Sequence, residues 1–295
     1  MATLSFAGAH TALITPFRNG VIDEVAFVNL IENQIRSGIT GIVPVGTTGE
    51  SPTLSHEEHR RVIEISVSAA NKRVLVIAGT GSNATTEAVE LTIEAEKLGA
   101  DAALLVAPYY NKPSPEGLYR HFRAIADAVS FPIVLYSIPG RCGIEIPISI
   151  VTRLAADCSN IVAIKESGGS VERVNQLRAA LPVSFQILSG DDSLTLPFLA
   201  AGAVGVISVA SNIIPSEVQQ LVESFRRGDF ANASAIHQRF YPLFRDLFIE
   251  PNPVPIKTAL AAQKACEEDV RLPLCEMNQS NKELLFKTLN SIGIK

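Results

Sequence analysis

The stretch NIVAIKESGG, Asn160 to Gly169, sets a lysine at the end of a short apolar run, with a glycine pair just beyond it. An apolar run that stops at a charge reads as a buried strand ending at a working surface. Burial disfavours the charged form of an amine, and a neutral primary amine attacks a ketone or aldehyde to form a Schiff base. Lys165 is therefore the first candidate for a nucleophile. The bland alternative is a structural lysine that pairs with Glu166 or caps a strand. Neighbours along a strand point to opposite faces, which makes Glu166 a poor partner for it.

Other residues at the ends of apolar runs extend this chemistry. Tyr136 ends the run before Lys165. Adjacent strands lie about 4.8 Å apart, so its phenol can reach the amine or a substrate bound there and shuttle protons; a half-buried structural tyrosine is the plain alternative. GTTGE sets Thr47 and Thr48 between glycines, a turn whose backbone N–H groups suit a carboxylate. Arg141 offers a fork for bidentate carboxylate binding or, equally, a surface salt bridge. Gly168 and Gly169 fit no phosphate motif. Asp191 and Asp192 are acids without histidines at neighbouring run ends. His56 and His59 in HEEH are three apart, not the four of a zinc helix. No metal site is expected.

These groups need a scaffold that brings run ends together. Eight short runs, rich in β-branched residues and leucine, recur along the chain: AHTALIT, GIVPVG, VLVIAG, AALLVAP, IVLYSI, IVAIK, FQILSG and VGVISVA. They lack strict alternation, as strands buried on both faces do. Amphipathic segments separate them. One opens with Ser55 and Glu58, a capping-box pattern, one stops at Gly99, and one has Pro115 near its start. This alternation predicts a (β/α)8 TIM barrel, whose working residues gather at the C-terminal ends of the strands. A doubly wound sheet is the competitor, but its glycine-rich dinucleotide fingerprint is missing. After Pro215 the strand signal fades into helical patterns. The expected division is a catalytic barrel over 1–225 and a C-terminal helical appendage over 226–295.

Composition narrows the function class. The chain has 295 residues and a net charge of −5, with no basic run, so it carries no electrostatic footprint for nucleic acid or an anionic membrane. The start, MATLSFAGAH, lacks the features of a secretory signal, and no apolar stretch is long enough to span a membrane. Cys142, Cys158, Cys266 and Cys275 are scattered and form no C-x-x-C pair, which suits free thiols in a reducing compartment. The expected location is the cytoplasm.

In this order and spacing, GTTGES, PYYNKPSPEGLYRHF, YSIPGRCG, IKES and SGDDS resemble the dihydrodipicolinate synthase/N-acetylneuraminate lyase family of class I aldolases. The likeness runs from ALITPF to IEPNPVPIK and RLPL, nearly the whole chain. It implies that Lys165 forms the imine with pyruvate and that Tyr136 is the general acid/base, with Thr48 and Tyr110 completing a proton relay. Thr47 and Thr48 would bind the pyruvate carboxylate, Arg141 the carboxylate of aspartate semialdehyde, and Gly190 and Ile207 would line the pocket. The tyrosine matching Tyr110 reaches into a neighbouring subunit, which implies an oligomer, usually a homotetramer built as a dimer of dimers. The reaction the resemblance implies is the condensation of pyruvate with aspartate semialdehyde, in lysine and diaminopimelate biosynthesis. It needs no cofactor, because the imine is the electron sink.

The chain departs from the family pattern at Ser137, where asparagine is usual, and at Cys142, where threonine is usual. Both lie near the expected second-substrate pocket. Sialic acid lyases share the lysine, the tyrosine and the turn but lack an arginine at position 141, so Arg141 favours the synthase branch over an aldolase for sugar acids. A silent keto-acid binder would have no chemical need for Lys165, Tyr136, Thr48 and Tyr110 together. The resemblance also implies feedback inhibition by lysine, at an interface site formed by Ser51, His56, His59, Asn83, Glu87 and Tyr109. Pro52 follows Ser51 in that loop.

Overall fold

The eight apolar runs form eight parallel strands in a closed ring: β1 (Gly8–Ala12), β2 (Gly41–Val43), β3 (Leu75–Gly79), β4 (Ala102–Val106), β5 (Ile133–Ser137), β6 (Ile161–Glu166), β7 (Gln186–Ser189) and β8 (Gly205–Ser208). β1 pairs with both β2 and β8, which closes the barrel. The computed structural model describes residues 4–294. Residues 1–3, on which the reading of the N-terminus partly rests, lie outside the described residues.

Each strand is buried on both faces, which explains why the runs do not alternate. The inward residues Ala12, Val43, Leu104, Val134, Leu188 and Ile207 share a cluster inside the barrel. Outward residues pack on the surrounding helices in a second, larger cluster. At the N-terminal end of the barrel, fully buried Phe6 forms the plug. Gln186 holds it there, accepting from the Phe6 N–H at 2.7 Å and donating to the Leu4 carbonyl at 2.8 Å. His10 lies beside Phe6, and burial pushes its pKa down to about 4, so the ring is neutral near pH 7.

The helix signals act as expected. Ser55 and Glu58 form a reciprocal capping box on the helix His56–Ala70. Gly99 closes the helix Thr85–Leu98 with left-handed backbone, and Ser114 caps the helix that starts at Pro115. A short helix that the periodicity did not anticipate, Pro139–Cys142, follows β5 and carries Arg141. Beyond the barrel helix Pro215–Arg226 come three further helices, Phe230–Asp246, Val254–Ala262 and Gln279–Ser291. Their residues Phe240, Leu243, Ile256 and Leu285 belong to the same apolar cluster as the outer barrel face. No helix of the described residues is long and apolar enough to cross a membrane.

Candidate active site

Lys165 and Tyr136 are register partners on β6 and β5, and Leu188 on β7 flanks Lys165 on its other side. Both residues face into the barrel, with Lys165 6% and Tyr136 4% exposed. The amine nitrogen lies 4.0 Å from the centroid of the phenol ring. Glu166 points the other way, as strand alternation requires. It is fully buried and accepts from Arg173 Nε at 2.8 Å and from the Gly168 N–H at 2.6 Å. Burial raises its pKa, with Arg173 opposing. The Gly168 amide is thus taken by a carboxylate of the protein.

Gly190, one residue past β7, makes room for the lysine. A Cβ there would lie 1.8 Å from Ser167 Oγ and 2.7 Å from Lys165 Cε. Any larger residue would force Ser167 and Lys165 to shift. Ile207, 1% exposed on β8, shares the inner cluster with Tyr136.

The turn after β2 holds the threonines. Val45 and Glu50 at its ends both have left-handed backbone, with φ of 50° and 55°. That conformation is costly for a β-branched residue and persists because neighbours fix it. Gly79 permits the close approach of β3, since a Cβ there would meet the Val45 carbonyl oxygen at 2.4 Å. Within the turn, the N–H groups of Gly49, Glu50 and Ser51 donate to backbone carbonyls. Among the described residues, the N–H groups of Thr47 and Thr48 have no protein acceptor. Two adjacent donors left free in a turn make a concavity of the kind that can hold an anion.

Two residues that the sequence reading missed fasten this turn to the C-terminal region. Lys257 is fully buried and pairs with Glu50; it also donates to the Asp269 carbonyl at 2.8 Å. Burial pulls its pKa below the usual lysine range, with Glu50 opposing. Asn252 Nδ2 donates to the Thr48 hydroxyl at 2.9 Å. The Asn252 carbonyl accepts from Arg141 Nη2 at 3.3 Å. The available signal for Lys257 was a lone lysine in the apolar helix sequence VPIKTALAA. Asn252 gave no signal beyond its place in IEPNPVPIK.

The remaining candidates divide clearly. Asp192 is 2% exposed and accepts from Ser208 Oγ at 2.5 Å and from the N–H groups of Val209 and Ala210. Burial pushes its pKa up to about 6. From the loop after β7 it thus organises the loop after β8, and Asp191 accepts from Ser193 within the loop after β7. Cys142 donates to the Ala107 carbonyl, and burial pushes its thiol up to about 11. Ser137 is fully buried, its hydroxyl accepting from the Ile146 N–H at 3.4 Å.

A cavity of about 350 Å³ opens beside the barrel mouth. Thr47, Tyr136 and Arg141 line one part of it, and Ser51, His56, His59, Glu87 and Tyr109 another. It reaches Tyr136 but is not lined by Lys165 or Thr48. His56 Nε2 lies 2.9 Å from Glu87, and the Ser82 hydroxyl also bonds Glu87. These two contacts hold the Glu87 carboxyl below its ordinary range. His59 is buried, with Nε2 2.9 Å from the Gly79 carbonyl. Asn83 stands behind the wall and donates to the Tyr109 carbonyl at 3.2 Å. Tyr110, next to Tyr109 in the chain, does not line the cavity; it is 89% exposed and left-handed at φ 73°.

The dihydrodipicolinate synthetase family model matches residues 5–292. A 4-hydroxy-tetrahydrodipicolinate synthase of Syntrophus aciditrophicus is 52% identical over 98% of this chain and 99% of its own. The enzyme of the same name from Endomicrobium trichonymphae is 49% identical at the same coverage. Among solved structures, the 4-hydroxy-tetrahydrodipicolinate synthase of Methylacidiphilum fumariolicum SolV is 56% identical and superposes with a TM-score of 0.97, covering 98% of this chain and 96% of its own.

Proposed function

The chain belongs to the dihydrodipicolinate synthetase family, and from that premise we propose that Lys165 carries the condensation of pyruvate with aspartate semialdehyde to 4-hydroxy-tetrahydrodipicolinate. The observation that carries this reading is a lysine amine buried at the barrel mouth, facing the Tyr136 ring rather than a carboxylate. The product feeds lysine and diaminopimelate biosynthesis.

The Lys165 amine attacks the ketone carbon of pyruvate, and the carbinolamine loses water to give the imine. Tyr136 moves the protons. The free N–H groups of Thr47 and Thr48 bind the pyruvate carboxylate, and Gly190 and Ile207 bound the pocket. The imine accepts the electron pair when a methyl proton leaves, so no separate cofactor is required. The resulting enamine carbon attacks the aldehyde carbon of the second substrate, whose carboxylate Arg141 holds. The substrate's own amine then displaces the lysine nitrogen, closing the ring and freeing Lys165. Thr48 relays protons between Tyr136 and the partner subunit's Tyr110. The exposure of Tyr110 in the single chain suits that role and a homotetramer built from dimers.

Residues 1–225 carry the chemistry, and 226–295 brace it. Lysine inhibits through the outer part of the cavity, where the Glu87 carboxylate meets an ammonium group and Ser51, His56, His59, Asn83 and Tyr109 complete the site. The enzyme works in the cytoplasm. Incubation with both substrates tests the reading: pyruvate and aspartate semialdehyde should disappear one for one. Turnover with a sugar aldehyde, and none with aspartate semialdehyde, would overturn it.

A further inference from the structure

Asn252 lies between the helices Phe230–Asp246 and Val254–Ala262, outside the barrel, yet it touches two site residues. It is 5% exposed. Its side chain meets Thr48, and its backbone carbonyl meets Arg141. We propose that Asn252 is a positioning residue for the reaction, fixing the Thr48 hydroxyl through its amide while its backbone separately steadies Arg141. This rests on the relay role given to Thr48 above.

The chemistry asks for an amide N–H at this point. A threonine hydroxyl offers one proton to donate and two lone pairs to accept with. Asn252 Nδ2 occupies one lone pair at 2.9 Å. That leaves the hydroxyl proton free to pass on and one lone pair free to receive another. A relay hydroxyl must do both. An ionised aspartate in the same place would only accept, and would draw the Thr48 proton to itself. An apolar residue would leave the hydroxyl free to rotate.

Both sides of the contact are held firmly. Glu50, two residues after Thr48, pairs with buried Lys257, five residues after Asn252. The turn and the C-terminal segment are therefore tied at two points, and Asn252 cannot drift without breaking a buried ion pair. Among the described residues, Asn252 Oδ1 is buried without a hydrogen-bond partner. The side chain's contact with the protein is made through Nδ2 on Thr48.

The split between side chain and backbone gives a specific test. Asn252→Ala and the isosteric Asn252→Asp remove the donated N–H but keep the carbonyl that Arg141 uses. In the full-length enzyme, each should lower kcat by about 10- to 100-fold, the scale of a misplaced catalytic group. KM for aspartate semialdehyde should stay within about threefold, since the hold on Arg141 persists. Borohydride should still trap pyruvate on Lys165 in both variants. Thr48→Val should lower kcat at least as far, and Thr48→Val combined with Asn252→Ala should fall no further than Thr48→Val alone. An unchanged kcat in both Asn252 variants would overturn the proposal, as would losses that multiply in the double variant. A wild-type protein that gives no pyruvate adduct would instead overturn the catalytic reading beneath it.

Discussion

Lys165 sits with its amine nitrogen 4.0 Å from the centroid of the Tyr136 ring, and the two residues are register partners across β5 and β6. The aromatic face attracts a cation but takes no proton from it and forms no ion pair. Lys257 makes the contrast. It is also a lone lysine in an apolar run and also lies over an aromatic ring, Phe17, but it pairs with Glu50. One buried lysine is committed to a carboxylate, and the other faces a phenol that can carry protons.

Tyr136→Phe keeps the ring and removes the proton carrier. Turnover should fall by about 100-fold or more, the usual share of general acid–base catalysis. Steady-state kinetics with both substrates checks this, and a variant within twofold of wild type would remove Tyr136 from the proton path.

Gly190→Ala puts a methyl carbon where Ser167 Oγ and Lys165 Cε already are. Ser167 Oγ has no hydrogen-bond partner among the described residues and can rotate away, but the Lys165 Cε and Cγ, 2.7 and 3.1 Å from the added carbon, must also shift, so the amine should be pushed off its position. Activity should fall by about 100-fold while the barrel still folds, as circular dichroism would report. Near-normal activity would mean that the lysine does not need this path along β7.

Lys257→Met leaves Glu50 buried without its partner. Breaking a buried pair in this way costs about 3–5 kcal/mol, read as a lower denaturant midpoint. Glu50→Gln combined with Lys257→Met should recover part of that loss, because no lone charge remains. Equal destabilisation in the single and double variants would show that the packing of Lys257, not the charge on Glu50, sets the cost.

Hydrogen bonding to Arg271, the main cause, holds the Glu58 carboxyl at about 2 instead of 4.5. A depressed carboxyl pKa stabilises the fold above the ordinary value, and that contribution disappears as pH falls through the folded one. Wild-type Tm should therefore drop between about pH 4.5 and pH 2, and Glu58→Gln should show a shallower drop over that window. Parallel Tm curves would show that this carboxyl is not linked to folding.

The sequence made the barrel legible because strands buried on both faces are written as apolar runs of strand length, and the helices between them carry their own caps. Lys165, Tyr136 and the GTTGE turn were legible for the same reason: they stand at run ends, where a barrel gathers its chemistry. Asn252 and Lys257 were not, because they meet Thr48 and Glu50 across separations of 204 and 207 residues. No local period encodes such a contact. The helix under Arg141 has only four residues, too few to show a helical pattern. Tyr110 entered through the family resemblance alone, and in the single chain it is 89% exposed.

Borohydride reduction in the presence of pyruvate, followed by peptide mass spectrometry, tests the central claim most directly. A reduced pyruvyl adduct on the peptide containing Lys165, and on no other lysine, is the predicted result. A folded protein without that adduct, or one with the adduct on Lys257, would contradict the assignment of Lys165 as the imine-forming residue.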